Sequence, residues 1–301
     1  MTSLERKHVL LLYPFIKCYV GLILGYTLFH WCCIESYDML DVNEMLMIFL
    51  LPAIIAVGLI AIVLRPGIKL LYFSRRSGPF SHYLLTLFCL VIPNFVVQQY
   101  LETATGKLTV LDTITQYESK PKTKYYQVKH YCLAPSLAGE KRREYYSGKH
   151  QSRLHLEAYF AQPIYATTKD TLSRSDHYWL CTYYQQSINA NESEENRILD
   201  RARFNQYVAT DYPTTPFYKA TYWEREGIVD KTSYFEDAVN KSPLERDGGS
   251  VLFIPHYDDF AHRSGKKGLW SFAAVMIGIG AYYFFILITR LKTEEEMEEE
   301  E

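Results

Sequence analysis

The chain has 301 residues, 48% of them hydrophobic and 22% charged, and 32 Lys and Arg against 34 Asp and Glu leave a formal net charge of −2. That balance excludes the basic excess of a nucleic-acid reader and argues against an anionic surface as partner. The average hides a partition, because the first hundred residues and one late run are apolar while the middle is polar.

The first apolar run covers residues 9–31, with Pro14 and Lys17 inside it and Arg6 and Lys7 ahead of it. It is too long for a signal-peptide core and no small-residue cleavage site follows, so it reads as an uncleaved transmembrane helix. A loop from Cys32 to Glu44 carries acids but no Lys or Arg. A second helix is predicted over residues 45–64, and Arg65, Lys69, Arg75 and Arg76 follow it. A third, over 80–97, carries His82, Pro93 and Asn94. Residues 269–289 hold no charge and are followed by Arg290 and Lys292. At about 1.5 Å per helical residue, runs of this length cross a hydrocarbon core of roughly 30 Å.

With four spans, Arg6, Lys7, Arg65, Lys69, Arg75, Arg76, Arg290 and Lys292 share one side, which the positive-inside rule makes cytoplasmic. Both termini are then cytoplasmic and the large segment is extracytoplasmic, periplasmic or luminal. Arg263, Lys266 and Lys267 dissent. A three-span alternative, with 80–97 only dipping into the membrane, reverses the large segment.

That segment, residues 102–267, has strand signals at 110–117, 124–133, 153–165, 177–185, 217–224 and 251–254. Helices are expected at 192–207 and around 231–240. The fold class is therefore an α-helical membrane bundle of four transmembrane helices with an inserted extracytoplasmic α+β domain, mainly antiparallel sheet. The organisation is 1–101 (three helices), 102–267 (domain), 268–292 (fourth helix) and 293–301, an acidic tail that repels itself and reads as solvated and disordered.

Candidate functional residues follow from chemistry. Lys17 is a charge within an apolar helix, where such residues often mark function, although its stem can snorkel to the near interface. Gly21 and Gly25, and Ala274 with Gly278, have the small-xxx-small spacing that lets helices approach closely, either within the bundle or against another membrane protein or a second copy. Asn94 is a polar partner inside helix three. His256, Asp258, Asp259 and His262 place suitable divalent-metal ligands within seven residues, in a spacing that matches no zinc signature. Cys132 and Cys181 are either a disulfide or two buried thiols. Tyr125-Tyr126, Tyr145-Tyr146 and Tyr183-Tyr184 suit sheet packing or an interface. Asn191-Glu192-Ser193 is a glycosylation sequon, meaningful in a eukaryotic source.

No CxxC, GxSxG, GxxxxGK[ST] or GxGxxG pattern occurs, so the reading carries no cofactor and leans away from an enzyme. The expected function is a multi-pass membrane protein whose domain binds or assembles with a protein or envelope component, its partners being the bilayer and a membrane or envelope protein. The alternatives are a membrane-bound enzyme acting on an envelope or lipid-linked substrate, with His256, Asp258, Asp259 and His262 as its site, and a small transporter subunit, disfavoured by the lack of paired repeats.

Overall fold

A computed structural model describes residues 3–32, 46–73, 78–167, 177–227, 230–244, 248–293 and 296. Most of the Cys32–Glu44 loop, Arg75, Arg76, Asp247 and most of the acidic tail lie outside the described residues. The chain divides into a helical unit, residues 1–105 with 263–301, and a sheet unit, residues 106–262. The break falls a few residues inside the expected 102–267 because both ends of that range remain with the helices.

Among the described residues, four helices are long and apolar enough to cross a membrane. Helix α1 spans Ser3–His30 and α2 spans Leu46–Lys69; α3 is Gly78–Thr105 and α6 is Lys267–Ile288. The third is a full 28-residue helix, well beyond the expected 80–97. Thr103 and Thr105 hydroxyls donate back to Gln99 and Leu101 carbonyls, as polar residues continue the helix past its apolar part.

The helices meet through Leu11, Phe15, Leu22, Ala56, Leu64, Leu90, Tyr282 and Ile286. The Phe15 and Tyr282 rings stack at 3.7 Å. The start of α1 meets the end of α6, where Lys7 Nζ donates to the Ile286 and Leu287 carbonyls at 3.0 and 3.2 Å. At the other end, Arg263 donates to the Thr103 and Ala104 carbonyls that close α3. Lys267 Nζ reaches Thr103 Oγ1 at 2.8 Å. Last-turn carbonyls have no partner within their own helix and carry negative partial charge, so cations collect there. Arg263 and Lys267 thus gather at the end of α3.

Small residues are used unequally. A Cβ on Gly278 would lie 2.8 Å from Pro93 Cγ and 3.1 Å from the Cys89 carbonyl, so α3 and α6 cross closely there. Gly21 and Gly25 have nothing within 4 Å of a Cβ and are exposed. Of the two readings of that pair, packing within the bundle is absent among the described residues: their stripe is exposed with Val20, Leu24 and Leu28. Lys17 is exposed on the same helix, while Ala274 is half-buried.

The sheet unit contains β1 (Leu108–Thr113), β2 (Tyr125–His130), β3 (Cys132–Leu133), β4 (Gly139–Ser147), β5 (Arg153–Tyr165), β6 (Tyr178–Asn189), β7 (Tyr222–Arg225) and β8 (Val251–His256). Helices α4 (Glu194–Asp211) and α5 (Asp230–Asn240) complete it. The strand order is β1-β2-β7-β8-β6-β5-β3, with β4 also paired to β5. The sheet is mixed, since β1–β2 and β6–β8 are parallel and the other pairings antiparallel. Among the described residues the sheet is mainly antiparallel, as expected, with the parallel β1–β2 and β6–β8 pairings added.

Strand β5 is buried on both faces. Its Leu154, Leu156, Ala158 and Phe160 meet Phe204 and Val208 of α4. Its Tyr159 and Ala161 meet Phe235, Ala238 and Val239 of α5. Gly139 admits α5 by lacking a side chain: a Cβ would sit 1.8 Å from the Ala238 carbonyl. Around Pro163, which has no N–H to donate, β5 exchanges β4 for β3 as its neighbour.

The Gly278 contact predicts an asymmetry. Gly278→Ala should destabilise the helical unit by about 1–3 kcal/mol, the cost of overpacking. Gly21→Ala and Gly25→Ala should be neutral or slightly stabilising, because alanine is the better helix former. Thermal unfolding of the three variants in detergent checks the order.

Candidate functional site

Strands β7 and β8 pair Tyr222 with His256 and Glu224 with Ile254. Tyr222, Glu224 and His256 therefore share one face, since side chains alternate along a strand. His256 Nε2 lies 3.0 Å from Glu224 Oε2, and its ring stacks on Tyr222 at 4.8 Å. Lys124 Nζ approaches Glu224 Oε1 at 3.5 Å. Burial pushes the Glu224 carboxyl up, but the His256 hydrogen bond and the Lys124 charge outweigh it and hold the group below the usual carboxylate range. Tyr125 and Phe260 pack edge-on around Tyr222.

The four residues proposed as metal ligands are thereby divided. His256 is committed to Glu224 within the sheet. Asp258, Asp259 and His262 are exposed beyond the strand end, with His262 Nδ1 and Asp259 Oδ2 4.0 Å apart. Thr221 Oγ1 donates to the Asp258 carbonyl and so uses its backbone. Among the described residues no group of three or more His, Cys, Asp or Glu is arranged to hold a metal ion. Strand β8 ends at His256, and Asp258, Asp259 and His262 follow it outside the sheet.

Cys132 and Cys181 are both unbonded. Cys132 lies opposite Tyr165 and Cys181 opposite Ala161, on the two sides of β5. Two strand spacings of about 4.8 Å each already exceed the Cα separation a disulfide spans. Burial drives the Cys181 thiol well above its ordinary value, which makes it an inert core group.

The paired tyrosines divide between the two faces. Tyr126 packs with Tyr117, Trp223 and Phe253 in one core, while Tyr125 meets Tyr222 and Phe260. Tyr145 stacks on His155 at 4.7 Å, and Tyr184 donates to Asp211 Oδ2 at 3.0 Å. Sequence reasoning passed over Glu157, which is 6% exposed. It accepts a 2.9 Å hydrogen bond from Tyr159 and lies 3.7 Å from Arg143 of β4. Its signal was the β4–β5 register alone.

In the helical unit, Asn94 is fully buried, and Gln98 Nε2 donates to Thr27 Oγ1 of α1 at 2.9 Å and to Asn94 Oδ1 at 3.3 Å. These amides bridge α1 and α3 as polar contacts between apolar helices do.

The outer side of α4 is the other notable surface. Only Phe204 and Val208 of this helix are buried, whereas Ile198 is 57% and Leu199 48% exposed. Ser193 caps the helix by accepting from the Asn196 N–H at 3.3 Å, which places the exposed Asn191 sequon just ahead of it. Comparison with protein-family models, with curated proteins and with solved structures finds no match. The residues themselves carry the functional argument.

The Glu224 network makes a pH prediction. A depressed folded pKa contributes stability above the ordinary value of 4.5, and that contribution is lost as pH falls through the folded value. Glu224→Gln should cost about 1 kcal/mol at neutral pH, the scale of a partly exposed charged hydrogen bond. It should also flatten the acid limb of the melting temperature plotted against pH.

Proposed function

We propose that the chain is a multi-pass integral membrane protein whose domain, residues 106–262, is an extracytoplasmic binding and assembly module for a membrane or envelope protein. The observation that carries this reading is the outward face of α4. Ile198 and Leu199, with Ala202 one turn beyond Ile198, are exposed away from the side that Phe204 and Val208 bury. Glu194, Glu195, Asp200 and Arg203 surround them. An apolar centre with a charged rim is the composition of a protein contact surface.

The helical unit supports the threading. Lys7 at the start of α1 meets the end of α6, and the Tyr72 N–H after α2 donates to the Arg290 carbonyl after α6 at 2.9 Å. Ser271 near the start of α6 donates to Val96 near the end of α3 at 3.1 Å. This alternation is what four spans require, and the positive-inside rule then assigns the Lys7, Lys69 and Arg290 end to the cytoplasm.

The test uses the full-length chain in mild detergent from its own membranes. Ile198→Asp with Leu199→Asp should leave the melting temperature within about 0.5 kcal/mol of equivalent stability, as surface changes do. The same variant should lower recovery of the wild-type partner by about tenfold or more, the loss expected when central interface anchors are removed. A wild-type chain that purifies alone as a monomer would overturn the proposal. Self-association lost in the variant would identify the partner as a second copy. A reporter fused after Lys149 should report the extracytoplasmic side, and a cytoplasmic signal would reverse the assignment.

A further inference from the structure

The β4–β5 hairpin sets a hydroxyl against an imidazole. Ser147 Oγ and His155 Nε2 lie 2.6 Å apart, within the span of about 2.6–3.2 Å that a nucleophile and its base use. Register makes the contact. The two strands pair Tyr145 with His155 and Ser147 with Arg153, so all four side chains share one face. The His155 ring stacks on Tyr145 at 4.7 Å, with 11° between the planes. Among the described residues its Nδ1 is buried without a hydrogen-bond partner. An unsatisfied nitrogen in an ordered strand asks for a reason beyond packing, and a catalytic role is one such reason.

This is the face whose Tyr159 and Ala161 meet α5. Towards the hairpin it opens. Gln185, Ser187 and Asn189 of β6, opposite Glu157, His155 and Arg153, are exposed, as is Arg153 itself. Ser147 and His155 are half-buried, so solvent reaches a pair that the strands hold in place. The loop beside them is constrained. A Cβ on Gly148, whose φ is +80°, would meet Ser152 Oγ at 2.9 Å. His150 and Gln151 have φ of 58° and 57°. Non-glycine residues enter that left-handed region at a cost, and such residues gather at active sites and ligand clamps. Arg153 completes the set. Side chains directly opposite on antiparallel strands start about 5 Å apart at Cβ, so a guanidinium can reach the space over Ser147 Oγ, where an oxyanion would form.

We propose that Ser147 and His155 are a nucleophile–base pair that hydrolyses carboxylic esters of short acyl groups, with Arg153 stabilising the oxyanion. Ser147 Oγ attacks the ester carbonyl carbon while the His155 Nε2 lone pair takes the hydroxyl proton. The carbonyl electron pair moves onto oxygen beside Arg153. As the tetrahedral species collapses, the bond to the leaving alkoxide breaks and His155 returns the proton to it. Water, deprotonated by His155, then attacks the Ser147 acyl ester, releasing the carboxylic acid and restoring the hydroxyl. The polar rim of Gln185, Ser187 and Asn189 suits a short acyl group rather than a long apolar one. The inference goes beyond the contact surface of α4, which packs on the opposite face of β5, and does not depend on it.

The experiment treats the full-length protein in mild detergent with a fluorophosphonate and maps the modified peptide, alongside turnover of p-nitrophenyl acetate. The phosphonyl group should be found on Ser147, and Ser147→Ala should abolish both labelling and turnover. His155→Phe keeps a ring against Tyr145 and should slow labelling by about a hundredfold, the scale of a lost general base. Arg153→Gln should lower kcat by about a hundredfold, the scale of a lost oxyanion donor. Ser119→Ala, beyond β1 at the other edge of the sheet, should retain full labelling. An unlabelled Ser147 in the wild-type protein would overturn the proposal, and that result needs no variant to fold. Turnover surviving Ser147→Ala would overturn it too, as would full-rate labelling of a His155→Phe variant with an unchanged melting temperature.

Discussion

A helix leaves its last carbonyls without partners, and in apolar surroundings an unpaired carbonyl costs about 1–3 kcal/mol. The helical unit is arranged around that constraint. Lys7 supplies donors to the end of α6, and Arg263 with Lys267 supplies them to the end of α3. Each contact joins residues more than 150 positions apart in the chain. These charges close helix ends.

In the sheet unit the corresponding element is β5. It carries apolar side chains on both faces because a helix covers each of them, α4 on one and α5 on the other. The two-residue period of a strand then explains why adjacent tyrosines have unlike surroundings. Residue pairs that look like single aromatic patches in the sequence are each divided by the plane of the sheet. Tyr146 and Tyr183 stay exposed while Tyr125 and Tyr126 are buried, and Ile198 and Leu199 are exposed on a helix whose sequence is mostly polar.

Much of the architecture was legible where apolar length or strict alternation recorded it. The four apolar helices, β5, β6 and α4 belong to that class. Strand β4 did not, because GEKRREYYS has no apolar alternation; it is an edge strand defined by its pairing with β5, and its charges are what an edge tolerates. The stretch 217–224 shortened to β7 because Pro213 and Pro216 favour tight turns ahead of it. The two parallel pairings are long-range facts that no local window contains. Small-residue spacing occurs in both α1 and α6, yet only packing shows that Gly278 is enclosed and Gly21 open. A cavity of about 650 Å³ in the helical unit draws its lining from α2, α3 and the segment after α6, so it is not visible as a motif.

The strand order has a consequence for how the domain is made. Strands β7 and β8 come last in the sheet unit but occupy the middle of the sheet, between β2 and β6. Until Val251–His256 has been synthesised, the β1–β2 pair and the β3–β6 group have no common neighbour, and the inner edges of β2 and β6 stay open. Closure is a late, long-range event of the kind that folds slowly. Open strand edges invite pairing with other chains. During synthesis the half-built sheet is thus most in need of shielding, and its final strand acts as the keystone that makes one sheet from two.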